Sequence, residues 1–287
     1  MRQSGVKLFK YHGLGNDFLV LDRRAGGGDI DEALTRRLCD RHRGVGADGV
    51  LVLLPSHRAW AHMVVHNADG SVPEMCGNGL RCAVKYLVDH YKGKKPAAIP
   101  VETGAGVLQC AVTYGFDGKV AEVEVAMGPA RLVAPSLPSS QTGRPFVQKP
   151  VEGYTGTAVS MGNPHLVLFD APLKEASRIG PTLERATGFP DRTNVEFAQV
   201  DGGEVTLVVW ERGVGLTQAC GTGACAAVAV AVHLGKLPAE QWVQVTLPGG
   251  KLAIRVAKGL AAVDLRGPAE LVFETTVPST LAGGSSS

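Results

Sequence analysis

The sequence lacks a long apolar run at its N-terminus. Residues 1–5 (MRQSG) lead directly into alternating apolar and polar residues, without the apolar core of a signal peptide. The most apolar stretch, residues 224–232, is too short to span a bilayer. We therefore expect neither a signal peptide nor a membrane anchor, and we predict a cytoplasmic protein without a membrane partner.

An excess of charge of one sign is also missing. The chain has 29 Lys and Arg residues against 27 Asp and Glu residues, which gives a formal net charge of +2. Proteins that bind nucleic acid usually carry a basic patch or stripe. This balance therefore predicts no nucleic-acid partner.

The sequence has no nucleotide-binding signature. The glycine-rich loop GVGADG at residues 44–49 precedes an apolar strand pattern instead of joining a strand to a helix. A phosphate-binding loop with Gly-Lys followed by Ser or Thr is absent as well. These two absences disfavour a nucleotide cofactor.

Cysteine is too sparse for a disulfide-stabilised framework. Six cysteines in 287 residues are predicted to be reduced thiols. The spacings from Cys76 to Cys82 and from Cys220 to Cys225 differ from zinc-finger spacings, and both pairs fall on predicted helices, where these offsets point side chains apart. We therefore predict no metal site.

What the sequence does contain is a motif that occurs twice, as EMCGNG at residues 74–79 and QACGTG at residues 218–223. Each copy opens an apolar run that is typical of a helix. The two cysteines are 220 − 76 = 144 residues apart, and Asn67 and Glu211 each lie nine residues before their cysteine.

A second pair of matching strings recurs at nearly the same offset. GNDFLV begins at residue 15 and GNPHLV at residue 162, so that Asn16 and Asn163 are 163 − 16 = 147 residues apart. A repeat of this length has the size of a domain and is far longer than a solenoid unit. We therefore predict two domains of common ancestry.

The predicted elements favour an α+β architecture. Many short strands, largely antiparallel, accompany one long helix in each half. We expect two pseudo-symmetric domains, each with a curved, mostly antiparallel sheet wrapped around a central helix, and an active site in the cleft between them. The predicted domains are residues 1–130 and 131–268, residues 135–154 form a linker or exposed loop, and residues 281–287 form a flexible tail.

The doubled cysteine motif predicts proton transfer. A thiol at a helix N-terminus faces unpaired N–H groups and the positive end of the helix dipole, which favour a thiolate. We therefore expect the pKa of one thiol to fall below the usual value of about 8.5. Two thiols on opposite sides of one carbon can remove and return an α-proton, and this inversion of a stereocentre requires no cofactor or metal.

The backbone N–H groups beside both cysteines can serve the same chemistry. Loss of an α-proton places negative charge on the substrate carboxylate, and helix N-termini stabilise such anions. The groups concerned belong to Gly77, Asn78, Gly221 and Thr222.

Each candidate residue also has an ordinary structural interpretation. A single cysteine is often a small buried apolar residue, and Glu211 with Arg212 can form a solvated charge pair at a strand end. His165 can be a loop or core histidine. Three asparagines can be simple turn formers: Asn16, Asn163 and Asn194. The duplicated motif favours the functional interpretation.

Taken together, the motifs resemble the diaminopimelate epimerase family. The matching strings are HGLGNDF at 12–18, NADGS at 67–71, CGNG at 76–79, GNPH at 162–165, ERG at 211–213 and QACGTGAC at 218–225. The resemblance runs from about residue 7 to 275. Related two-cysteine enzymes such as proline racemase share the Cys-Gly core.

The resemblance implies interconversion of LL- and meso-diaminopimelate in lysine and peptidoglycan precursor biosynthesis, without pyridoxal phosphate or any other cofactor. It implies that Cys76 and Cys220 transfer the proton, assisted by His165 and Glu211. Substrate contacts are implied for Asn16, Asn67, Asn163, Asn194, Glu211 and Arg212, with backbone contacts at Gly77, Asn78, Gly221 and Thr222.

The resemblance also implies a homodimer and a final strand, residues 269–280, that packs back on the N-terminal domain. One position departs from the family, because Gly49 stands where some members have Gln, and no side-chain contact is expected there. Two alternative functions remain open from the sequence. One is a racemase of another amino acid, and the other is a non-catalytic dithiol protein that binds metal or exchanges electrons.

Overall fold

The computed structural model describes residues 5–73 and 75–278. The expected tail at residues 281–287, the end of the expected final strand at residues 279–280, and Glu74 of the first motif lie outside the described residues. The chain forms two compact units. The first ends at Val125 and takes up the chain again at Gly267, and the second is Ala126–Arg266.

The first part of the chain alternates strands with two helices. Its strands are β1 Gly5–Gly13, β2 Asn16–Asp22, β3 Gly49–Leu54, β4 His62–Asn67, β5 Ala98–Thr103, β6 Gly106–Tyr114 and β7 Val120–Gly128. Its helices are α1 Glu32–Cys39 and α2 Gly77–Asp89. The prediction of one long helix in this half is confirmed by α2.

The remainder of the chain contains ten strands among the described residues. They are β8 Lys149–Val151, β9 Tyr154–Ser160, β10 Pro164–Leu168, β11 Asn194–Asp201, β12 Glu204–Glu211, β13 Gly215–Thr217, β14 Trp242–Leu247, β15 Gly250–Val256, β16 Val263–Pro268 and β17 Glu270–Pro278. The helices are α3 Ser139–Thr142, α4 Ala176–Leu183 and α5 Gly221–His233, with 3₁₀ turns at Leu173–Glu175 and Lys258–Leu260. Strand β17 pairs antiparallel with β1 and therefore belongs to the first unit.

The two units repeat one order of strand pairing. In the first, β1–β2 is antiparallel, β2–β3 parallel, β3–β4 antiparallel and β4–β5 parallel. In the second, β9–β10, β10–β11, β11–β12 and β12–β14 follow the same order. Helix α2 lies between β4 and β5 in the chain, as α5 lies between β12 and β14. The predicted α+β fold and its internal repeat are confirmed.

Helix α5 is apolar on every face, and its surroundings explain why. All side chains from Ala224 to Ala231 are fully buried. The helix packs against β9, β10, β11, β12 and β15. A helix without a polar face is stable only where protein covers it on all sides. None of the helices in the described residues is both long and apolar enough to cross a membrane.

The prediction of a linker or exposed loop at residues 135–154 is confirmed in part: most of residues 140–153 are exposed, but the segment lies inside the second unit and does not link the two units. Leu137 is fully buried and Ser139 is 1% exposed, and the segment forms α3 and β8. Buried residues anchor it to the second unit even though Pro, Ser and Gly dominate its composition. Composition alone does not reveal such anchors.

Candidate active site

Cys76 and Cys220 occupy the same backbone position, the N-cap of a 13-residue helix. Cys76 caps α2 with φ −137° and ψ 113°, and Cys220 caps α5 with φ −125° and ψ 110°. Each Sγ accepts a hydrogen bond from the N–H of the glycine three residues on, Gly79 or Gly223, with a donor–acceptor distance of 3.4 Å. The prediction that both thiols lie at helix N-termini is confirmed.

Close packing leaves little space for a side chain at Gly79 and Gly223, the glycines that donate to the two thiols. A Cβ atom at Gly79 would lie 2.8 Å from Leu51 Cδ2, and one at Gly223 would lie 3.2 Å from Cys220 Sγ and 3.0 Å from Glu196 Oε1. A side chain at either position would therefore force its neighbours to move. The equal spacing of cysteine and glycine in the two copies agrees with this geometry.

The surroundings of Cys220 favour the thiol over the thiolate. Burial raises the pKa of Cys220 well above its usual range, and the nearby carboxylates of Glu211 and Glu196 raise it further. Hydrogen bonds from Thr222 and Gly223 oppose this effect without reversing it. The lowering of the pKa that the sequence predicted for one of the two thiols does not occur at Cys220, because desolvation outweighs the helix dipole there.

His165 is linked through hydrogen bonds to the Cys220 helix. Its ring is fully buried, with Nδ1 2.7 Å from Glu196 Oε1 and Nε2 2.9 Å from Asn163 Oδ1. Asn163 Nδ2 donates to Thr222 Oγ1 at 3.4 Å, and that hydroxyl lies 3.6 Å from Cys220 Sγ. The structure thus brings His165, Asn163, Thr222 and Cys220 into one network.

Glu196 is a member of this network that the sequence motifs do not include. It is fully buried on β11, and burial raises the pKa of its carboxyl, an effect that His165 opposes. Its Oε2 has no hydrogen-bond partner within the described residues. The sequence signal that could have identified Glu196 is its position as a single glutamate between Val195 and Phe197 in an apolar strand. A buried apolar strand rarely holds an unpaired carboxylate, so such a residue is expected to have a specific partner.

Asn194, Glu211 and Arg212 lie together at one end of β11 and β12. Asn194 Oδ1 accepts from the backbone N–H of Arg212 at 3.0 Å, and Asn194 Nδ2 donates to Pro164 O at 2.9 Å. Glu211 Oε1 accepts from Thr217 Oγ1 at 2.7 Å, and Arg212 Nη1 donates to Asp191 O at 3.1 Å. The sequence-predicted residues of the second half are therefore neighbours.

In the first unit, Asn16 and Asn78 contact each other directly. Asn78 Nδ2 donates to Asn16 Oδ1 at 3.1 Å, and Asn16 Nδ2 donates to Asp48 Oδ2 at 2.9 Å. Arg81, which is fully buried, donates to Asn78 Oδ1 at 3.0 Å. Arginine only donates hydrogen bonds and aspartate only accepts them. Arg81 and Asp48, at the two ends of this series of hydrogen bonds, therefore fix the orientation of both amides. Asn78 follows Gly77 in the first turn of α2, beside Cys76.

Asn67 makes its side-chain hydrogen bond within the turn that follows β4. It ends β4, and its Nδ2 donates to Ser71 Oγ at 2.9 Å. It pairs across the sheet with Gly49. A Cβ atom at Gly49 would lie 2.5 Å from His66 O, so this chain would have to shift its backbone to carry any side chain at this position. This close packing agrees with the absence of a side-chain contact there.

The potential for metal binding can be judged from donor placement. Within residues 5–73 and 75–278, no three His, Cys, Asp or Glu side chains converge in an arrangement that could hold a metal ion. The absence of a metal in the reaction stays a prediction.

The sequence is similar to those of known proteins over nearly its whole length. The diaminopimelate epimerase family model matches residues 8–133 and 157–272. The chain is 45% identical over 281 residues to the diaminopimelate epimerase of Desulfitobacterium hafniense, covering 94% of this chain and 97% of the relative. It is 45% identical over 280 residues to that of Desulforudis audaxviator, covering 94% and 98%.

Solved structures with little sequence identity share the fold. A hydroxyproline epimerase from Agrobacterium vitis superimposes with a TM-score of 0.70 at 17% identity, over 96% of this chain and 92% of that one. A phenazine biosynthesis protein of the PhzF family from Bacillus anthracis gives 0.71 at 16% identity, over 96% and 99%. These likenesses support the two-unit α+β architecture.

Proposed function

This chain belongs to the diaminopimelate epimerase family, and we propose that it interconverts LL- and meso-diaminopimelate in lysine and peptidoglycan precursor biosynthesis. Relatives named for this activity, 45% identical over 94% of the chain, support the proposal. The structural observation that carries it is the pair of helix-capping cysteines with matching backbone angles and matching Sγ contacts.

The proposed reaction is a two-base proton transfer. One cysteine, as a thiolate, takes the α-proton, and the electron pair of the broken C–H bond is delocalised into the adjacent carboxylate. The other cysteine, as a thiol, donates its proton to the opposite face of the same carbon. Because its surroundings hold Cys220 as a thiol, we assign it the donor role when Cys76 is the base, and the roles exchange in the reverse direction.

The helix starts stabilise the charge that develops. The backbone N–H groups at Gly77, Asn78, Gly221 and Thr222 lie in the first turns of α2 and α5. Donors at a helix N-terminus favour a carboxylate that gains electron density. Exclusion of water from the closed site would strengthen these interactions.

The remaining candidate residues hold the substrate. A substrate with two amino-acid ends needs one end fixed so that the other presents its α-carbon. We assign the non-reacting carboxylate to Arg212 and the ammonium to Glu211, as charge-assisted contacts. The amides of Asn16, Asn67, Asn163 and Asn194 complete the contacts. His165 and Glu211 are assigned to assist proton transfer, and no step requires a cofactor or a metal.

We further propose that the enzyme acts in the cytoplasm as a homodimer. The chain has a mass of 30.0 kDa, so sedimentation of the purified protein is expected to give about twice that mass. A monomer that is fully active at assay concentrations would contradict the dimer.

The first test of the function replaces each thiol in turn. Cys76→Ala and Cys220→Ala are each expected to lower kcat for LL-diaminopimelate by at least the ~10²–10⁴-fold typical of a lost general acid or base. Cys110→Ala, at a buried thiol on β6, is the matched control and should keep its activity. Chiral chromatography of the product gives the rate, and circular dichroism verifies folding.

Two outcomes of this test would redirect the proposal. Near-normal turnover by either active-site variant would exclude the two-base mechanism. If the wild-type protein racemised proline but left diaminopimelate unchanged, it would be a racemase of another amino acid.

A further inference from the structure

Glu184 follows helix α4 and belongs to none of the sequence motifs. It is the C-cap residue of that helix and is only 6% exposed. A buried carboxylate is costly unless hydrogen bonds compensate for the lost hydration. The partners of Glu184 therefore indicate why it lies there.

Both oxygens of Glu184 accept hydrogen bonds from the segment that carries Glu211 and Arg212. Oε2 accepts from Trp210 Nε1 at 2.8 Å, and Oε1 accepts from the backbone N–H of Gly213 at 3.0 Å. Trp210 directly precedes Glu211, and Gly213 directly follows Arg212. One carboxylate thus holds both ends of the Glu211–Arg212 pair.

The charge state of Glu184 agrees with this role. Burial acts to raise the pKa of its carboxyl, but hydrogen bonds from Trp210, Gly213 and Arg192 outweigh burial and lower it. The group is therefore ionised at neutral pH. As a carboxylate it only accepts hydrogen bonds, and each oxygen faces a group that only donates.

The backbone of Glu184 extends the connection to Asn194. Its carbonyl oxygen accepts from Thr193 N at 2.9 Å, and Thr193 immediately precedes Asn194 in the chain. Asn194 Oδ1 in turn accepts from Arg212 N at 3.0 Å. Three residues that we assign to substrate binding are therefore tied to one buried glutamate.

We propose that Glu184 is a positioning residue that fixes the turn carrying Glu211 and Arg212, and so determines how tightly the non-reacting end of the substrate is bound. The substrate class concerned is a diamino dicarboxylate, and this part of the inference rests on the proposed function. The hydrogen bonds that fix the turn do not depend on it.

The sharpest test is Glu184→Gln, which keeps the shape of the side chain. An amide has one accepting oxygen and one donating nitrogen. The donating nitrogen therefore faces a donor on either side, Trp210 Nε1 on one and Gly213 N with Arg192 Nη1 on the other. We expect the KM for LL-diaminopimelate to rise about tenfold and kcat to fall by a smaller factor. The turn carries the substrate contacts of Arg212 and Glu211, and Glu211 also assists proton transfer, while both thiols keep their helix-capping positions.

Trp210→Phe in the Glu184→Gln background supplies a rescue that an unspecific loss of structure would not show. Phenylalanine removes the indole donor, so the Gln oxygen can accept from Gly213 N without a facing donor on the other side. The double variant is expected to recover most of the lost affinity. Glu175→Gln is the matched control, because Glu175 pairs with exposed Arg178 and should leave KM unchanged.

Hydrogen–deuterium exchange makes the test independent of activity. Peptides that contain residues 211–214 should exchange faster in Glu184→Gln and return toward the wild-type rate in the double variant. A wild-type KM and wild-type exchange in Glu184→Gln would overturn the proposal, and so would a double variant that is worse than the single one.

If Glu184→Gln does not fold, Trp210→Phe alone must raise exchange in this segment, and unchanged exchange would overturn the proposal. Wild-type protein without epimerase activity but with these exchange effects would refute the proposed function and leave the positioning role intact.

Discussion

At the residue scale, Cys220 shows how burial controls the chemistry of a helix-capping thiol. Its Sγ accepts from Gly223 N, as expected for an N-cap, yet the pKa of this thiol is raised because burial and two carboxylates disfavour the thiolate. A proton donor requires a thiol that stays protonated until the reaction. The environment of Cys220 meets this requirement.

Glu196→Gln tests the contribution of a fully buried carboxylate to the pKa of Cys220. The negative charge of Glu196 raises the pKa of Cys220, so the neutral amide should lower it. The alkylation profile of Cys220 should therefore move to lower pH, and alkylation at a fixed pH below that pKa should become faster. Mass spectrometry of the iodoacetamide-modified peptide gives the rate.

The control for this experiment is Glu204→Gln, at an exposed glutamate at the start of β12. It should leave the Cys220 profile unchanged. An unchanged profile, or one moved to higher pH, in Glu196→Gln would show that Glu196 does not act on this thiol.

Arg212→Met tests recognition of the substrate carboxylate. Loss of a charge-assisted hydrogen bond costs roughly 1.5–3 kcal/mol, which corresponds to a rise in the substrate dissociation constant of about 10- to 140-fold. Isothermal titration with meso-diaminopimelate measures the change, with Arg178→Met on the exposed surface of α4 as control. Unchanged affinity would place Arg212 outside the binding site.

The two cysteines, the Glu-Arg pair and three of the asparagines, Asn16, Asn67 and Asn163, could be proposed from the sequence because they lie in motifs that repeat or resemble those of the family. Glu196 and Glu184 could not, because each is a single carboxylate whose partners are distant in sequence. Glu196 meets His165 across two paired strands, and Glu184 meets Trp210 and Gly213 from the end of a helix. Such contacts depend on the folded chain and leave little local signal.

At the scale of elements, the helix starts combine capping with close packing. Gly223→Ala would place a Cβ atom 3.0 Å from Glu196 Oε1 and 3.2 Å from both Cys220 Sγ and Val209 Cγ2. We expect a loss of about 1–3 kcal/mol of stability from this overpacking and a fall in kcat, because the thiol must move. Thermal unfolding and steady-state kinetics measure the two effects.

Ala226→Gly is the matched control for this variant. It lies in the same helix and costs about 1 kcal/mol through helix propensity, but its position is remote from the cap. Its kcat should be maintained. A Gly223→Ala enzyme with wild-type kcat would show that the close approach to Cys220 Sγ is unimportant for turnover.

Helices α2 and α5 were predictable from their start signals and apolar runs, whereas α4 was not. Helix α4 contains Pro181 and, just before it, Gly180, two residues that usually indicate the end of a helix. The structure explains the glycine, since a Cβ atom there would lie 2.7 Å from the Trp210 ring. Tertiary packing overrides local propensity at this position.

At the scale of the whole molecule, the internal repeat was predictable because both copies keep their motifs 144 to 147 residues apart. Equivalent strand pairings inside the two units express that repeat in structure. At residues 135–154, outside the repeated motifs, composition was the only guide. It indicated the exposed stretch at residues 140–153 but not the buried residues at 137–139. The placement of the two thiols on opposite sides of one substrate carbon stays a proposal.

Early deuterium incorporation in D₂O tests the two-base mechanism most directly. Reduced, chelator-treated protein is incubated with LL-diaminopimelate, and the α-positions of both isomers are followed by NMR and mass spectrometry before equilibrium. Delivery from a second thiol, which has exchanged with solvent, predicts deuterium in the newly formed meso isomer and none in the remaining LL isomer. Equal labelling of both isomers, or a meso product without deuterium, would contradict proton transfer by a pair of cysteines.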